Sequence, residues 1–578
     1  MTNGDSAPQT DSHPKLRRPL HEERRLKIIC IGAGASGLLL AYKLQRSFEQ
    51  FELILYEKND AVSGTWYENK YPGCACDIPA HTYTWTFEPN PLWSSVYAGS
   101  DEIRLYFENF CDKYDLRKYC RLQHEVTRAS WNEDKGSWEV EVTRRDAGNT
   151  IRDICDVLIN ATGVLNAWRW PSIPGLEKYK GKLFHTARWD READLEGKHI
   201  GLIGNGSSGI QTLPAIHSQA SKITTFIRKP TWISPVQGFE QRYYSEEERR
   251  EFEADPDTLL QYRKLQESTL NSVFPLFISN SDLQKTYFMD KVGKMKAKLQ
   301  NETLEQLVIP KWGVGCRRIT PGIDYLEMLV SDKVSVVYGE IQQVTELGCL
   351  CDDGKEYPVD VLICATGFDT SFRPRFPVIG SGGKNLADVW ADEPKSYLGL
   401  AAPGFPNYFM FIGPNSPIGN GPVLVEAQAD YMLKMIDRWQ TENIHSFSPK
   451  IEAVDDFIAH KDQFMKGTVW EHDCRSWYKN NSSSGKVTAL WPGSTMHYLD
   501  TLAEPRYEDW NFTYTGNRFD FLGNGFSQTE CDRTADWAYY LRNHDDSPYI
   551  SRGMRRKLTT LSGTIKRGDP GTDSMIFL

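Results

Sequence analysis

The chain has 578 residues, of which 40% are hydrophobic and 25% charged, with a formal net charge of −10. That length is too great for one hydrophobic core and implies two or three domains, and a composition this ordinary excludes a disordered or fibrous chain. The acidic balance, without a long basic block, leaves a nucleic-acid partner no electrostatic footprint and favours small molecules.

Twelve cysteines are sparse for this length. Cys74/Cys76 and Cys349/Cys351 are spaced CxC and no CxxC occurs, which argues against a disulfide framework and for a reducing compartment. The opening residues, MTNGDSAPQTDSHPK, are polar and lack the apolar core of a signal peptide. Residues 1–26 read as a flexible arm. The most apolar run, Ile28 to Leu44, is broken by Gly32, Gly34, Gly37 and Lys43, so it reads as strand, turn and helix rather than a membrane span. The chain ends in SMIFL, neither a prenylation box nor a peroxisomal signal. A soluble cytoplasmic protein is expected.

Lys27 to Ile31 is an apolar run suited to a buried parallel strand. Gly32-x-Gly34-x-x-Gly37 follows, with Ser36 inside it, then an apolar helix over Leu38 to Leu44, a strand over Phe51 to Tyr56, and Glu57. Glycines here permit a tight turn and close backbone approach, the helix start faces a pyrophosphate, and an acid ending the second strand accepts hydrogen bonds from a ribose. Residues 63–83, dense in Gly, Pro and aromatics, read as a loop. A helix over Asp101 to Tyr114 and strands around Ser137 to Thr143 complete the first unit.

Val157 to Gly163 is an apolar strand ending in Ala-Thr-Gly, and the same ending recurs at Val361 to Gly367. The two mark where the chain leaves and re-enters the first domain. Between them, His199 to Ile203 leads into Gly204-x-Gly206-x-x-Gly209 and a helix from Ile210. Ser207, Ser208 and Gln211 are candidates for hydrogen bonds to a cofactor's phosphates and ring. The strand Ile223 to Ile227 ends in Arg228-Lys229 instead of an acid. A guanidinium there pairs with a ribose 2′-phosphate, so NADPH is expected over NADH.

Residues 240–308 are charged with helical spacing; Ser245-x-x-Glu248 reads as a capping box and Asn301 as a second cap. This stretch reads as a helical excursion over the substrate cavity. GVGCRRITPGIDYLEM follows at 313–328. LAAPGFPNYFMFIGPNSPIG, at 400–419, holds a strand at Tyr408 to Ile412 running into a Gly/Pro loop, before a helix at Glu426 to Arg438. Residues 499–578 carry no readable motif; they are aromatic up to Tyr549 and basic from Arg552 to Arg567.

Between the two Gly-rich loops lies YKGKLFHTARWD, residues 179–190. With Tyr179, Gly181, His185, Trp189 and Asp190 in place, this stretch resembles the signature of class B flavin-dependent Baeyer–Villiger monooxygenases, which usually have Phe where Tyr179 stands. Trp189 favours that branch over the related N- and S-oxygenases. The resemblance covers roughly 27–498 with its motifs in order.

The resemblance implies an α/β fold of two Rossmann-like dinucleotide-binding domains. The FAD domain would be discontinuous over 27–163 and 365–498, with an NADP domain inserted at 164–364, the helical excursion at 240–308 and an extension at 499–578. It implies FAD lined by Thr65, Trp66, Asp77 and Tyr83, with Ser63 at a place the family commonly fills with glycine. It implies Arg317 at the NADP phosphate and Arg318 as the active-site arginine oriented by Asp77. Gly181, His185 and Trp189 would couple domain movement to cofactor position. NADPH would reduce FAD, O2 would be activated, and one oxygen atom would enter beside a ketone carbonyl to give an ester or lactone, with the guanidinium stabilising the anion. No metal is expected.

The implied substrate is a bulky polyketide or terpenoid ketone, by resemblance to members with long terminal extensions. A flavin N- or S-monooxygenase is the alternative. A pyridine nucleotide-disulfide oxidoreductase lacks its CxxC here. A flavin-binding scaffold without turnover is the non-enzymatic reading, against which Arg318 and Asp77 speak. Neither GxSxG nor HExxH occurs, so hydrolase readings gain no support.

Overall fold

Two five-stranded parallel sheets organise the chain in the computed structural model, which describes residues 18–235, 238–541 and 543. The first sheet runs Tyr408–Met410, Val157–Asn160, Leu26–Ile31, Phe51–Tyr56 and Cys120–Arg121. The second runs Val334–Tyr338, Lys222–Ile227, His199–Ile203, Val361–Cys364 and Lys182–His185. Every pairing in both is parallel, as short apolar strands covered on both faces require. Strands of the second sheet all fall between two contributors to the first, so one Rossmann-like fold is inserted in another.

The sheets' strands are apolar because both faces are covered. Ile28, Cys30, Leu53 and Leu55 pack with the helix Ala35–Ser47 and with Gly421–Thr441, in a core that includes Leu38, Leu40, Met432 and Ile436. Ile200, Leu202, Ile223 and Ile363 pack with Ile210 and Leu213 from the helix Ser207–Ile216 and with Met295 and Leu326. An antiparallel sheet of His124–Asn132, Ser137–Arg144 and Thr150–Cys155 is edged by Val378–Ile379 and backs the first sheet through Trp138 and Tyr408.

The excursion is four helices, Glu246–Ala254, Pro256–Ser272, Asp282–Leu299 and Glu302–Val308. Ser245 and Glu248 form the full capping box, and the Asn301 side chain accepts from the Leu304 N–H. Several bonds fasten the excursion to the first half of the chain: the Gln241 side chain accepts from the Tyr97 N–H, the Arg242 carbonyl accepts from the Val96 N–H, and Arg263 makes the largest set. Arg263 donates to the carbonyls of His81 (3.0 Å), Thr86 (3.2 Å) and Trp85 (2.8 Å) and to Thr84 Oγ1 (3.1 Å). Beneath it the His81 ring is edge-on to Tyr244 and Tyr262.

Residues 499–518, grouped by sequence with the extension, belong to the main body. Trp510–Tyr514 pairs antiparallel with Ile444–Pro449, and Trp510 is buried in the core of the first sheet. The chain divides into two compact units, Glu23–Arg518 and a smaller one whose described residues are 18–22 with 519–541 and 543. In the smaller unit, the Leu20 N–H donates to the Phe526 carbonyl (2.8 Å) and His21 stacks on Phe521 (5.0 Å). Residues 1–17 of the expected arm and the basic stretch 552–567 lie outside the described residues.

Arg263→Ala is expected to remove about 2–3 kcal/mol of local stability, the scale of losing hydrogen bonds to a charged group. Limited proteolysis under native conditions would read it as faster cleavage between residues 240 and 272, with Arg263→Lys restoring only part. Unchanged cleavage would show that the excursion is held elsewhere.

Candidate functional site

The two glycine loops use the same steric device. Gly32 has φ +109°, and a Cβ there would lie 2.6 Å from the Ala161 carbonyl oxygen; one on Gly37 would lie 2.1 Å from the Gly32 oxygen. In the second loop Gly204 has φ +106°, with the Ala365 oxygen at 2.6 Å from its virtual Cβ, and Gly209 meets the Gly204 oxygen at 2.2 Å. Ala161 and Ala365 are the alanines of the two Ala-Thr-Gly strand ends. The repeated tripeptide therefore backs both nucleotide loops, because only glycine lets the turn press so closely on a carbonyl.

One continuous cavity of about 1500 Å3 runs past both loops. Gly32, Gly34, Ser36, Glu57, Thr65, Trp66, Asp77 and Tyr83 line it from the first half, and Gly204, Gly206, Ser207, Ser208, Gln211, Arg228 and Lys229 from the second. Arg317 and Arg318 line it too. Gly37 and Gly209 sit behind the loops, within their helices.

Glu57 ends its strand with one carboxylate oxygen accepting from the Ala33 N–H and the other from the Asn59 N–H, both at 2.9 Å. Burial raises its pKa and the two N–H donors oppose that. Each oxygen keeps a lone pair for a ribose hydroxyl. Trp66 lies edge-on to Tyr83 at 5.5 Å and its Nε1 donates to the Tyr83 hydroxyl at 3.3 Å. Ser63 takes φ +80° where the turn needs the left-handed region, and its Oγ donates to the Arg104 carbonyl.

Arg318 and Asp77, 241 positions apart, form a bidentate pair. Arg318 Nε donates to Asp77 Oδ2 at 2.5 Å and Nη2 to Oδ1 at 2.6 Å. The Asp77 charge raises the Arg318 pKa despite burial, so the guanidinium stays cationic throughout the working range. Nη1 takes no part in the pair. Tyr478, fully buried, sits beside Arg318.

The Gln211 side chain, in the wall of the cavity, makes two bonds within the protein. Its Oε1 accepts from the Tyr71 hydroxyl at 2.7 Å and its Nε2 donates to the Ala75 carbonyl at 2.9 Å, so the amide joins the helix of the second loop to residues 71–75. Gly73 touches the same helix: a Cβ there would lie 2.3 Å from the Gln211 oxygen. Ser207 Oγ lies 3.0 Å from Thr320 Oγ1.

The 179–190 stretch is built into the second sheet. Lys182–His185 is its edge strand, paired with Val361–Cys364. Tyr179 donates to the Val359 carbonyl (2.9 Å), and Gly181 leaves no room for a Cβ, which would meet the Tyr179 hydroxyl at 2.4 Å. His185 Nδ1 accepts from the Ala187 N–H (3.1 Å), so the proton is on Nε2, which donates to Thr366 Oγ1 (3.2 Å). Trp168 packs on this ring at 5.1 Å, while Trp189 packs on Phe184.

Sequence reasoning missed three features. Cys316 and Cys474 form a disulfide, although sparse cysteines without CxxC argued against a framework; proximity across 158 positions leaves no spacing signature. Arg475 lines the cavity next to that bridge. Arg263 was indistinguishable from the other charges of the excursion. The one available signal was the repeated Cys-Arg dipeptide at 316–317 and 474–475. Among the described residues, no cluster of His, Cys, Asp or Glu is arranged to hold a metal, and no helix is long and apolar enough to cross a membrane.

Residues 25–379 match the family model described as flavin-binding monooxygenase-like. The chain belongs to that family. A FAD-binding monooxygenase, tazF, of Aspergillus terreus is 41% identical over 90% of this chain and 95% of its own length. A Baeyer–Villiger monooxygenase of Streptomyces coelicolor is 33% identical over 83% of this chain and 91% of its own. Among solved structures, cyclohexanone monooxygenase from Rhodococcus sp. Phi1 bound to NADP+ superposes with a TM-score of 0.75 at 26% identity, over 86% of this chain and 100% of that one.

Burial holds His185 down to about 4, against 6.5 for an unhindered imidazole. The folded state then binds fewer protons than the unfolded one between those values. Stability from this ring is therefore complete above pH 6.5 and falls as pH drops towards about 4. His185→Gln, which keeps an acceptor and a donor, should flatten that part of the melting-temperature profile; parallel profiles for both proteins would remove His185 from the acid response.

Proposed function

We propose that this flavin-binding monooxygenase-like enzyme is a Baeyer–Villiger monooxygenase that uses FAD and NADPH to insert one oxygen atom of O2 beside a ketone carbonyl. The donor sets fit the cofactors. Gly32, Gly34 and Ser36 offer a helix start to a pyrophosphate and Glu57 two lone pairs to a ribose, while Arg228, Lys229 and Arg317 offer cations to a second, phosphorylated nucleotide. Bound there, FAD would supply the redox chemistry, with NADPH as the reductant and O2 as the source of the inserted oxygen atom, the second oxygen leaving as water.

The chain's own part is positioning and electrostatics. The observation that carries the proposal is the Arg318–Asp77 pair in the wall of the cavity that both loops share. Asp77 orients the guanidinium and balances its charge, and Nη1 remains to stabilise negative charge developing on the substrate's carbonyl oxygen. A protonated oxidant acting on nitrogen or sulfur needs no such cation. Arg318 is thus the catalytic residue and Asp77 its orienting partner. Trp66 and Tyr83 wall the flavin's side of the cavity. Gly181, His185 and Trp189 hold the second sheet's edge against the returning strand, where movement of one fold is transmitted to the other.

The substrate we propose is a bulky, largely apolar ketone. Phe411, Ile418, Trp477, Tyr478, Ala489 and Leu490 supply apolar surface to the cavity's wall. We place the enzyme in the cytoplasm, where NADPH is supplied.

Arg318→Ala is expected to lose ester or lactone formation by at least ~100-fold, on the scale of removing one preorganised charge donor. NADPH oxidation should continue, its oxygen released as hydrogen peroxide. Mass detection of products from cyclic, steroidal and polyketide ketones, with a sulfide beside them, checks this. Sulfoxide without ester in the unmodified enzyme would instead identify an S-oxygenase, and turnover of small rings alone would reject the bulky substrate.

A further inference from the structure

Three consecutive residues, Cys316, Arg317 and Arg318, are each met by one other segment, residues 472–479. Cys316 is bonded to Cys474, with Cα atoms 6.4 Å apart. Arg317 shares a corner of the cavity with Arg475, and Arg318 lies beside Tyr478. The segment is anchored at both ends. His472 Nδ1 accepts from the Gly313 N–H at 3.1 Å, and Lys479 Nζ donates to the His472 carbonyl at 2.7 Å and the Ser483 carbonyl at 2.6 Å. Cys474 and Ser476 are buried on either side of Arg475, so its backbone is fixed while its side chain reaches open space.

That open space is the corner where the strand Lys222–Ile227 ends in Arg228 and Lys229. Four cations stand there against the Glu340 carboxylate, which lies 3.5 Å from Arg228 and is itself exposed. Arg317 is turned to the Pro230 carbonyl, and burial, followed by the charges of Arg228 and Arg475, brings it down to about 10. Arg475 is lowered by partial burial and by Arg228, with Glu340 opposing. Arg318, in the same cavity, has a carboxylate of its own; the corner cluster does not share it. Like charges held together by a covalent bridge and backbone anchors repel unless an anion completes them, and fork-shaped donors converging from two segments suit a phosphate.

We infer that Arg475 is a further guanidinium of the site for the 2′-phosphate of NADPH, and that the Cys316–Cys474 bridge positions it there. The inference rests on the NADPH reading above. The C-terminal part of the FAD-binding half then contributes to choosing the nucleotide bound by the inserted half. The bridge acts through register: each half-cystine delivers the arginine that follows it to the same corner. A discriminating contact of this kind touches nothing that NAD+ has.

The test is calorimetric titration of the FAD-loaded enzyme with NADP+ and, separately, NAD+. Arg475 is solvent-accessible, so Arg475→Ala leaves the core intact. It is expected to weaken NADP+ binding about tenfold to hundredfold, the range for a charge-assisted hydrogen bond, and to leave NAD+ within about twofold. Arg475→Lys should recover part of the loss, having the charge without the fork. The Cys316→Ser/Cys474→Ser double variant should show a smaller loss, again for NADP+ only. Equal weakening for both nucleotides, or none for NADP+, overturns the role of Arg475; a cysteine variant with wild-type discrimination overturns the role of the bridge. Arg228→Ala separates the two levels of inference. If it too leaves discrimination intact, the NADPH reading of this corner fails; if it abolishes discrimination while Arg475→Ala does not, only the present inference fails.

Discussion

The ion pair of Arg318 with Asp77 is the contact on which the site depends. It joins a loop in the first nucleotide half to a loop at the end of the inserted half, 241 positions on, by two short hydrogen bonds in the wall of the shared cavity. A guanidinium in such a place is costly unless paired, and removing one partner leaves the other's charge unmatched. Pairing solves both problems: the cation is retained, and its orientation is set by a planar carboxylate. A charge that must act on a developing oxyanion then needs no reorganisation when the anion forms.

Around that pair the two halves repeat one solution. Each presses a glycine loop onto the carbonyl of an alanine at the end of an adjacent parallel strand, so that helix starts face the same cavity. The halves differ in the residue that closes the second strand. Glu57 accepts from neighbouring N–H groups and suits ribose hydroxyls; Arg228 and Lys229 leave a positive corner that suits a phosphate. Fold and cofactor preference separate at that position, since the backbone device is common and the sign of charge is not.

What the sequence made legible was local in origin. Strands over Phe51–Tyr56 and His199–Ile203, the cap at Ser245 and both glycine loops follow from patterns within a few residues, and the structure has them in place. Gly421–Thr441 begins five residues before its expected start at Glu426, because Pro422 sits in the first turn, where proline is compatible with a helix. The ion pair itself was legible only through resemblance to a family. Nothing nearby in the chain distinguishes Arg263, which closes on four acceptors, from its charged neighbours, and nothing local tells Gln211 to bind Tyr71 and Ala75. The Cys316–Cys474 bridge and the strand at Trp510–Tyr514 likewise depend on partners far along the chain. Such features follow from tertiary geometry, which periodicity and spacing do not encode.

The meeting of Gly73 with the helix Ser207–Ile216 restricts how the two nucleotide folds can move. Backbone touches backbone there, with a side-chain amide bonded on either side, and no compressible side chain lies between. Sliding of one fold across the other would have to break those bonds together. The contact joins the Arg318–Asp77 pair and the Cys316–Cys474 bridge as ties between the two folds, and of the three it is the one made by backbone.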